Sequence, residues 1–178
     1  MIDAKQWLAD SPLFLDTETT GLGIDDEIVE IAIIDADGAV LLDTLVHPLK
    51  PITPDTTAVN GITNDMLAGA PPWSEIGPQV AALISGRIVI AHSAEFDECM
   101  ILQTCARHGV ALPVGVEWRC TKLGLADAND GKPPRLARAA EIVGAELPNG
   151  AAHRARYDAE IVRRIVVAAA KNEPLDAA

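Results

Sequence analysis

Two carboxylates interrupt an apolar segment near the start of the chain, and this feature constrains the fold more than any other. Residues 13–18 read Leu-Phe-Leu-Asp-Thr-Glu, which predicts a short buried strand carrying Asp16 and Glu18. Side chains at positions i and i+2 of a strand project from the same face, so both acids point the same way. Burying them together is costly, because each raises the pKa of the other unless a cation lies between them. The strand therefore either ends in solvent at residues 19–21 or forms one side of a cation site.

The order of the remaining segments predicts an α/β fold. Strands are expected at 13–18, 27–35 and 39–46, joined by short turns as an antiparallel meander, and a fourth strand at 87–91. Helices are expected at 74–85, 95–108, 134–143 and about 154–171, with short helical pieces after the Pro-rich stretch at 47–54. This order predicts a mixed sheet, an antiparallel meander plus parallel strands, flanked by helices.

Length and composition bound the protein class. A chain of 178 residues with 49% apolar and 22% charged residues predicts one folded domain over residues 1–178, with a short flexible tail from about residue 172. The N-terminus lacks the basic start and apolar run of a secretory signal, and the apolar stretch 165–170 is far shorter than the roughly 20 residues that span a bilayer. The three cysteines lack the paired spacing of a zinc ribbon or a disulfide framework. We therefore expect a cytoplasmic protein with no membrane partner.

The net charge of −12 argues at first against nucleic acid as a ligand, because proteins that bind phosphate backbones usually carry a basic surplus. The charge is unevenly distributed, however. Residues 1–86 hold two bases and 14 acids, whereas residues 87–178 hold 12 of each. Cations bound by the acids of a metal site would offset part of the surplus. The charge thus predicts weak, metal-dependent binding to a short end rather than tight binding to a long duplex.

Two further acids head predicted helices. Asp158 starts an apolar row spaced by four, three and four residues, and Asp97 is followed by apolar residues three and four positions on. Either acid alone is explained by the helix dipole, which an acid near the N-terminus stabilises by about 0.3–1 kcal/mol. With Asp16 and Glu18 they form an oxygen-rich set of the kind that Mg²⁺ and Mn²⁺ bind. A site for paired divalent ions is therefore the favoured prediction.

His153 lies five residues before Asp158, which on a continuous helix would place the two about 140° apart. We therefore expect His153 in the loop that precedes the helix, leaning over the same cleft. An isolated histidine there would be an ordinary surface residue. Beside a metal site, a neutral imidazole can accept a proton from the attacking water near neutral pH.

Three segments closely resemble the ordered motifs of the DEDD exonuclease superfamily, in its histidine-containing branch. They are residues 14–22, 91–97 and 153–159, and Asn60-Gly-Ile-Thr63 is similar to a segment between the family's first two motifs. The branch includes the proofreading epsilon subunit of bacterial DNA polymerase III and ribonuclease T. The resemblance covers nearly the whole chain and implies a ribonuclease H-like fold with 3′→5′ exonuclease activity that releases nucleoside 5′-monophosphates.

The resemblance also implies roles for individual residues. Asp16 matches the ligand that bridges two divalent ions, Mg²⁺ or Mn²⁺, while Glu18 and Asp158 complete the first site. Asp97 matches the ligand that acts on the second ion, largely through water, and His153 matches the general base. The expected contacts with a single-stranded 3′ end are Thr19, Thr20, Gly21, Leu22 and Phe96.

Three departures bear on the substrate. Ser93 stands where the family often has Asn, and Asn60 stands where many members have His. Ribonuclease T-like enzymes stack bases on several phenylalanines, whereas this chain has only Phe14 and Phe96. The first two departures bear on how the substrate is positioned, and the small number of phenylalanines favours single-stranded DNA as the substrate.

Other interpretations stay open from the sequence. An exoribonuclease or a short-oligonucleotide exonuclease would have the same catalytic set. A catalytically idle binding module is disfavoured, because all five catalytic positions are filled. The acids could also serve only as helix caps. The resemblance to the epsilon subunit raises a polymerase as a partner, which the sequence itself neither supports nor excludes.

Overall fold

A five-stranded sheet forms the centre of the computed structural model, which describes residues 2–150 and 153–172. The strands are β1 (Leu13–Thr19), β2 (Ile28–Asp35), β3 (Val40–Leu45), β4 (Ile88–Ala91) and β5 (Glu117–Cys120). Their spatial order is β3-β2-β1-β4-β5. The β1, β2 and β3 strands pair antiparallel, whereas β4 pairs parallel with both β1 and β5. The predicted mixed sheet is thus confirmed.

Helices flank the sheet. They are α1 (Ala4–Ala9), α2 (Pro54–Asn60), α3 (Asn64–Leu67), α4 (Trp73–Ile84), α5 (Ala94–His108), α6 (Thr121–Gly124), α7 (Leu136–Val143) and α8 (Ala155–Asn172), with a 3₁₀ turn at Asp127–Asn129. The predicted stops of α5 and α7 are confirmed, because Gly109 and Gly144 follow them in the left-handed conformation that favours glycine. None of the described helices is long and apolar enough to cross a membrane.

The sequence analysis missed α1, β5, α6 and the 3₁₀ turn at Asp127–Asn129. The β5 strand, Glu-Trp-Arg-Cys, lies at the sheet edge and has neither an apolar run nor strict alternation, so only its pairing with β4 identifies it. The α1 helix is a six-residue segment begun by an Asp3 cap. The flexible tail predicted from about residue 172 lies, beyond Asn172, outside the described residues.

The two faces of the sheet bury different side chains of the same strands. Phe14 and Ile90 pack towards α7 and α8, whereas Leu13, Leu15 and Val89 pack towards α4 and α5. This alternation is the expected consequence of the two-residue period of a strand. Fully buried side chains of this kind each contribute about 1.5–3 kcal/mol from the hydrophobic effect. The sheet is therefore held rigidly between two helical layers.

The parallel pairing of β1 with β4 brings the carboxyl ends of these strands to one edge of the sheet. The chain leaves β4 directly into the first turn of α5, and the first turn of α8 packs against β1 and β2. The ends of β1, α5 and α8 therefore meet at a single edge, as ligand-binding edges of α/β sheets do.

Candidate active site

Asp16 and Glu18 lie on the α8 face of β1, the same face as the buried Phe14. Burial raises the pKa of Asp16 well above its ordinary value, and repulsion by Asp97, Asp158 and Glu18 adds to this effect. Burial likewise raises the pKa of Glu18 to about 7, and repulsion by Asp158 and Glu30 adds to the rise. Both carboxylates thus occupy an environment that disfavours their charged forms.

Asp97 reaches the site from the first turn of α5 and is only 3% exposed. Its carboxylate accepts a hydrogen bond from the Thr17 hydroxyl at 2.9 Å. Burial raises the pKa of Asp97 to about 7, although hydrogen bonds from the Thr17 side chain and backbone lower it in part. Because Thr17 lies between Asp16 and Glu18 on β1, this bond ties the head of α5 to the acidic end of the strand.

Asp158 lies in the first turn of α8 and is 8% exposed. Burial raises its pKa to about 6, while attraction by His153 and a hydrogen bond from the His153 backbone oppose the rise. His153 itself is exposed and precedes the helix, as predicted, with a left-handed φ of 59°. Such a φ is uncommon outside glycine, and at a functional site it indicates a conformation that neighbouring contacts enforce.

Glu18, His153 and Asp158 converge. Among the described residues they form the group whose candidate metal-ligating atoms all lie within 4.8 Å of one another. Asp16 and Asp97 stand outside that group but line the same cleft, whose volume is about 520 Å³. Oxygen donors are the ligands that Mg²⁺ and Mn²⁺ prefer, so this set fits hard divalent cations. A cation bound here would also restore the charged forms of the carboxylates.

The predicted substrate contacts divide into two groups. Phe96 is half-buried and lines the cleft, whereas Thr19, Thr20, Gly21 and Leu22 are not among its lining residues. The Thr19 hydroxyl donates to the Gly21 carbonyl at 2.7 Å, and the Thr20 hydroxyl donates to Asp26 at 2.7 Å. Leu22 is 86% exposed at the tip of the turn. The two hydroxyls thus brace the turn, and Leu22 is the side chain of the four that is free to meet a ligand.

The structure adds residues at the site that the sequence analysis did not use. Asn60 is 4% exposed and hydrogen-bonds Glu18, which lowers the pKa of that acid in part. Its position before Gly61 was noted above only as a departure from the family. Arg135 is the single Lys or Arg among the described residues that line the cleft. Only tertiary contact identifies it, because nothing in the local sequence distinguishes it from the other arginines.

His92 supports Arg135. Its Nε2–H donates to the Pro134 carbonyl at 3.0 Å, and its Nδ1 lies 3.0 Å from the Thr121 hydroxyl. Burial lowers the pKa of His92 to about 4, so the ring is neutral, with its proton on the nitrogen that faces the carbonyl. Pro134, which precedes Arg135, is thereby hydrogen-bonded to the segment that follows β4, and this contact fixes the backbone beside Arg135.

Comparisons with known proteins agree on one family. The family model described as Exonuclease (RNase_T) matches residues 13–166. An uncharacterized exonuclease, CP81 of Escherichia phage 186, is 38% identical over 181 residues, an alignment that covers 94% of this chain and 92% of the phage protein. The DNA polymerase III subunit epsilon of Treponema pallidum (strain Nichols) is 40% identical over 86 residues, which cover 46% of this chain and 40% of that subunit.

The fold comparison gives the same result. A solved structure described as Exonuclease X in complex with 5′ overhanging duplex DNA superposes with a TM-score of 0.68 at 28% identity, covering 90% of this chain and 92% of that one. Together these matches confirm the predicted resemblance to exonucleases and the ribonuclease H-like fold.

Proposed function

The chain belongs to the exonuclease family, and from this premise we propose that it removes nucleotides one at a time from the 3′ end of single-stranded nucleic acid. DNA is the proposed polymer, and nucleoside 5′-monophosphates are the proposed products. We propose further that residues 1–178 act as a single exonuclease domain. The sequence-based expectation of a cytoplasmic location stays a prediction.

One observation carries this proposal. Glu18 lies on a strand more than 130 residues before His153 and Asp158, which come from a loop and the helix that follows it, yet the ligand atoms of all three lie within 4.8 Å of one another. Asp16 and Asp97 line the same cleft. A set of acids that served only as helix caps would have no reason to converge on one side of a cavity, since the dipole effect is confined to the first turn of each helix.

We assign Asp16, Glu18, Asp97 and Asp158 as the residues that hold two divalent ions, Mg²⁺ or Mn²⁺. When bound, such ions lower the pKa of the attacking water and stabilise the charge on the leaving 3′ oxygen. His153 is the proposed general base. Its exposed ring stands at the open side of the acid cluster, where it can take a proton from the water that attacks the terminal phosphate.

The proposed substrate contacts surround this cluster. Phe96 offers the cleft an aromatic side chain on which a terminal base can stack, whereas Phe14 is fully buried and cannot. Arg135 supplies a cation for a phosphate of the strand. Leu22 stands exposed beyond the acidic end of β1, and the backbone of Thr19, Thr20 and Gly21 completes the proposed path for the 3′ nucleotide.

A nuclease assay with end-labelled oligonucleotides tests the proposal. Single- and double-stranded DNA and RNA of matched sequence, labelled at either end, are incubated with the protein and Mg²⁺ or Mn²⁺. We expect a 5′-labelled DNA strand to shorten progressively and a 3′-labelled strand to release mononucleotide at once, with single strands degraded fastest. EDTA should abolish both signals.

Each alternative predicts a different pattern in this assay. Faster degradation of RNA would assign an exoribonuclease, and activity confined to the shortest substrates would assign an oligonucleotide exonuclease. Retention of every substrate without cleavage would support a binding module and contradict the proposed function. Two controls, heat-inactivated protein and a variant with Asp16→Asn, exclude a contaminating nuclease.

A polymerase is a proposed partner, supported by the relative from Treponema pallidum, which is named as a polymerase III epsilon subunit. If the chain acts with a polymerase, it should remove mismatched primer ends faster than matched primer ends when both are present. Equal removal of the two ends would argue against a proofreading role while leaving the exonuclease activity intact.

A further inference from the structure

Another buried acid, Glu30, lies next to the proposed catalytic cluster but differs from it in its partners. It occupies β2 directly opposite Glu18 in the antiparallel register, and it is 3% exposed. A buried carboxylate so close to the cleft could be another ligand for a cation. Its contacts indicate a different role.

Both oxygens of Glu30 are occupied by the start of α8. Arg154 Nε donates to the two oxygens at 3.0 and 3.1 Å, and Arg154 Nη2 donates to Oε1 at 2.5 Å. The backbone N–H of Ala155, the first residue of α8, donates to Oε2 at 2.9 Å. A forked arginine–carboxylate pair of this kind fixes orientation as well as distance. Glu30 is therefore engaged by protein donors.

The contact falls beside the proposed base. His153 immediately precedes Arg154 and has a φ of 59°, a conformation that non-glycine residues seldom adopt unless their surroundings impose it. The Arg154 carbonyl also accepts the backbone N–H of Asp158 at 3.0 Å. Arg154 is thus held at its side chain by β2 and at its backbone by the first turn of α8.

We propose that Glu30 and Arg154 are positioning residues that hold His153 over the cleft. Neither touches the substrate in this proposal. Glu30 fixes the Arg154 guanidinium and the Ala155 amide to β2, so that His153, the residue immediately before Arg154, keeps its ring beside Glu18 and Asp158. The proposal rests on the proposed function, because it gives His153 its task as the base.

The test is a double-mutant cycle between Arg154 and His153. In Arg154→Gln we expect kcat on single-stranded DNA to fall about 10- to 30-fold, with KM within about twofold and Mn²⁺ binding retained, since the loss is confined to orientation of the base. In a His153→Ala background, the same Arg154→Gln change should alter kcat by less than about twofold. Arg154→Lys keeps the charge but loses the fork and should recover part of kcat.

A matched control comes from the same helix. Arg164 also pairs with a glutamate, Glu160, at 2.7 Å, but it lies further along α8 and is not adjacent to His153. Arg164→Gln should leave kcat and KM unchanged. An equal fall in kcat for Arg154→Gln with and without His153 would overturn the proposal, as would an unchanged kcat in a folded Arg154→Gln protein. If Arg154→Gln does not fold at the assay temperature, the comparison is made with Arg154→Lys and decided by the same criterion.

A second readout does not depend on activity. The ring resonance of His153 is identified in the NMR spectrum by its disappearance in His153→Ala. We expect Arg154→Gln to move this resonance towards the position of an unstructured histidine while those of His92 and His108 stay in place. A wild-type protein with no nuclease activity but with this NMR response would remove the proposed function and keep the positioning role. If the wild-type protein is active but the His153 resonance does not move in Arg154→Gln, the positioning role is overturned and the proposed function is kept.

Discussion

Two groups of acids on and beside neighbouring strands of this protein have different partners. Glu27, just before β2, is 1% exposed and lies 2.8 Å from His108 Nε2, and Glu30 on β2 pairs with Arg154. On β1, Asp16 and Glu18 have no such partner, because none of the salt bridges among the described residues involves a cleft carboxylate. The acids of the first group thus have partner side chains within the protein, whereas the acids on β1 are open to a partner from outside.

The difference separates structural acids from functional ones. A buried carboxylate with an internal cation stabilises one arrangement of the chain, and removing its partner leaves a charge that is expensive to keep. A carboxylate in a cleft without such a cation has a raised pKa, as the cleft acids have. Its charged form is stabilised when a cation binds. The cleft acids therefore destabilise the metal-free protein. Clusters of acids with such perturbed pKa values are typical of binding sites.

The largest expected effect is on activity and comes from a cleft acid. Asp16→Asn should lower kcat/KM by about 10³-fold or more, because the loss of the proposed shared metal ligand would remove several kcal/mol of transition-state stabilisation. The metal-free variant should unfold at a higher temperature than the metal-free wild type, since a costly buried charge is gone. Calorimetry and the end-labelled assay measure the two effects. Asp37→Asn, at an exposed turn, is the control and should change neither.

The two histidines of these groups should respond differently. His153→Ala should lower kcat by about 10²-fold or more while binding of Mn²⁺ persists, as expected for the loss of a general base. His108→Ala should leave kcat within about twofold but reduce the free energy of unfolding by about 1–3 kcal/mol, because Glu27 stays buried without its partner. Steady-state kinetics and denaturant unfolding separate the effects. Similar losses of kcat in His153→Ala and His108→Ala would contradict the division into acids of the proposed catalytic site and acids with structural partners.

The stability of the metal-free protein should fall as pH rises from about 4 to 7. The folded-state pKa is about 7 for Glu18, about 7 for Asp97 and about 6 for Asp158, above the ordinary values of 4.5, 3.8 and 3.8. The folded state therefore binds more protons than the unfolded state in this window, and each such proton costs about 1.4 kcal/mol of stability per pH unit.

Urea unfolding in EDTA at pH 5 and pH 8 measures this dependence. The fall should become shallower in Asp16→Asn, where one source of repulsion is removed, and shallower again in wild-type protein at saturating Mg²⁺, which binds the folded state alone. A metal-free protein that gained stability from pH 5 to pH 8 would contradict the description of the cleft.

The smallest expected effect concerns Arg135, the single Lys or Arg that lines the cleft within the described part of the chain. Arg135→Gln should raise KM for single-stranded DNA several-fold with little change in kcat, and it should weaken the dependence of KM on salt, because one phosphate contact is lost. Arg138→Gln is the matched control, since Arg138 is exposed on the next turn and pairs with Glu141. Equal KM values for the two variants would remove Arg135 from the strand path.

Much of the fold follows from short-range patterns. The alternation of β1 places Phe14, Asp16 and Glu18 on one face whatever the rest of the chain does, and glycine in the left-handed conformation ends α5 and α7 where the sequence predicts. The β5 strand escaped prediction because its four residues carry no period, and pairing with β4 alone makes it a strand. Local patterns determine elements only where the element has a buried face of its own.

The sequence by itself determined which acids and which histidine belong to the proposed catalytic set, because the three motifs appear in order and each carries its own residues. Only the tertiary structure decided which acids have a partner side chain within the protein. Glu30 and its partner Arg154 are 124 residues apart, and Glu27 and His108 are 81 apart. Such pairs depend on strand register and helix docking, which no local pattern specifies, and the acids that they leave without a salt bridge among the described residues are those of the proposed metal site.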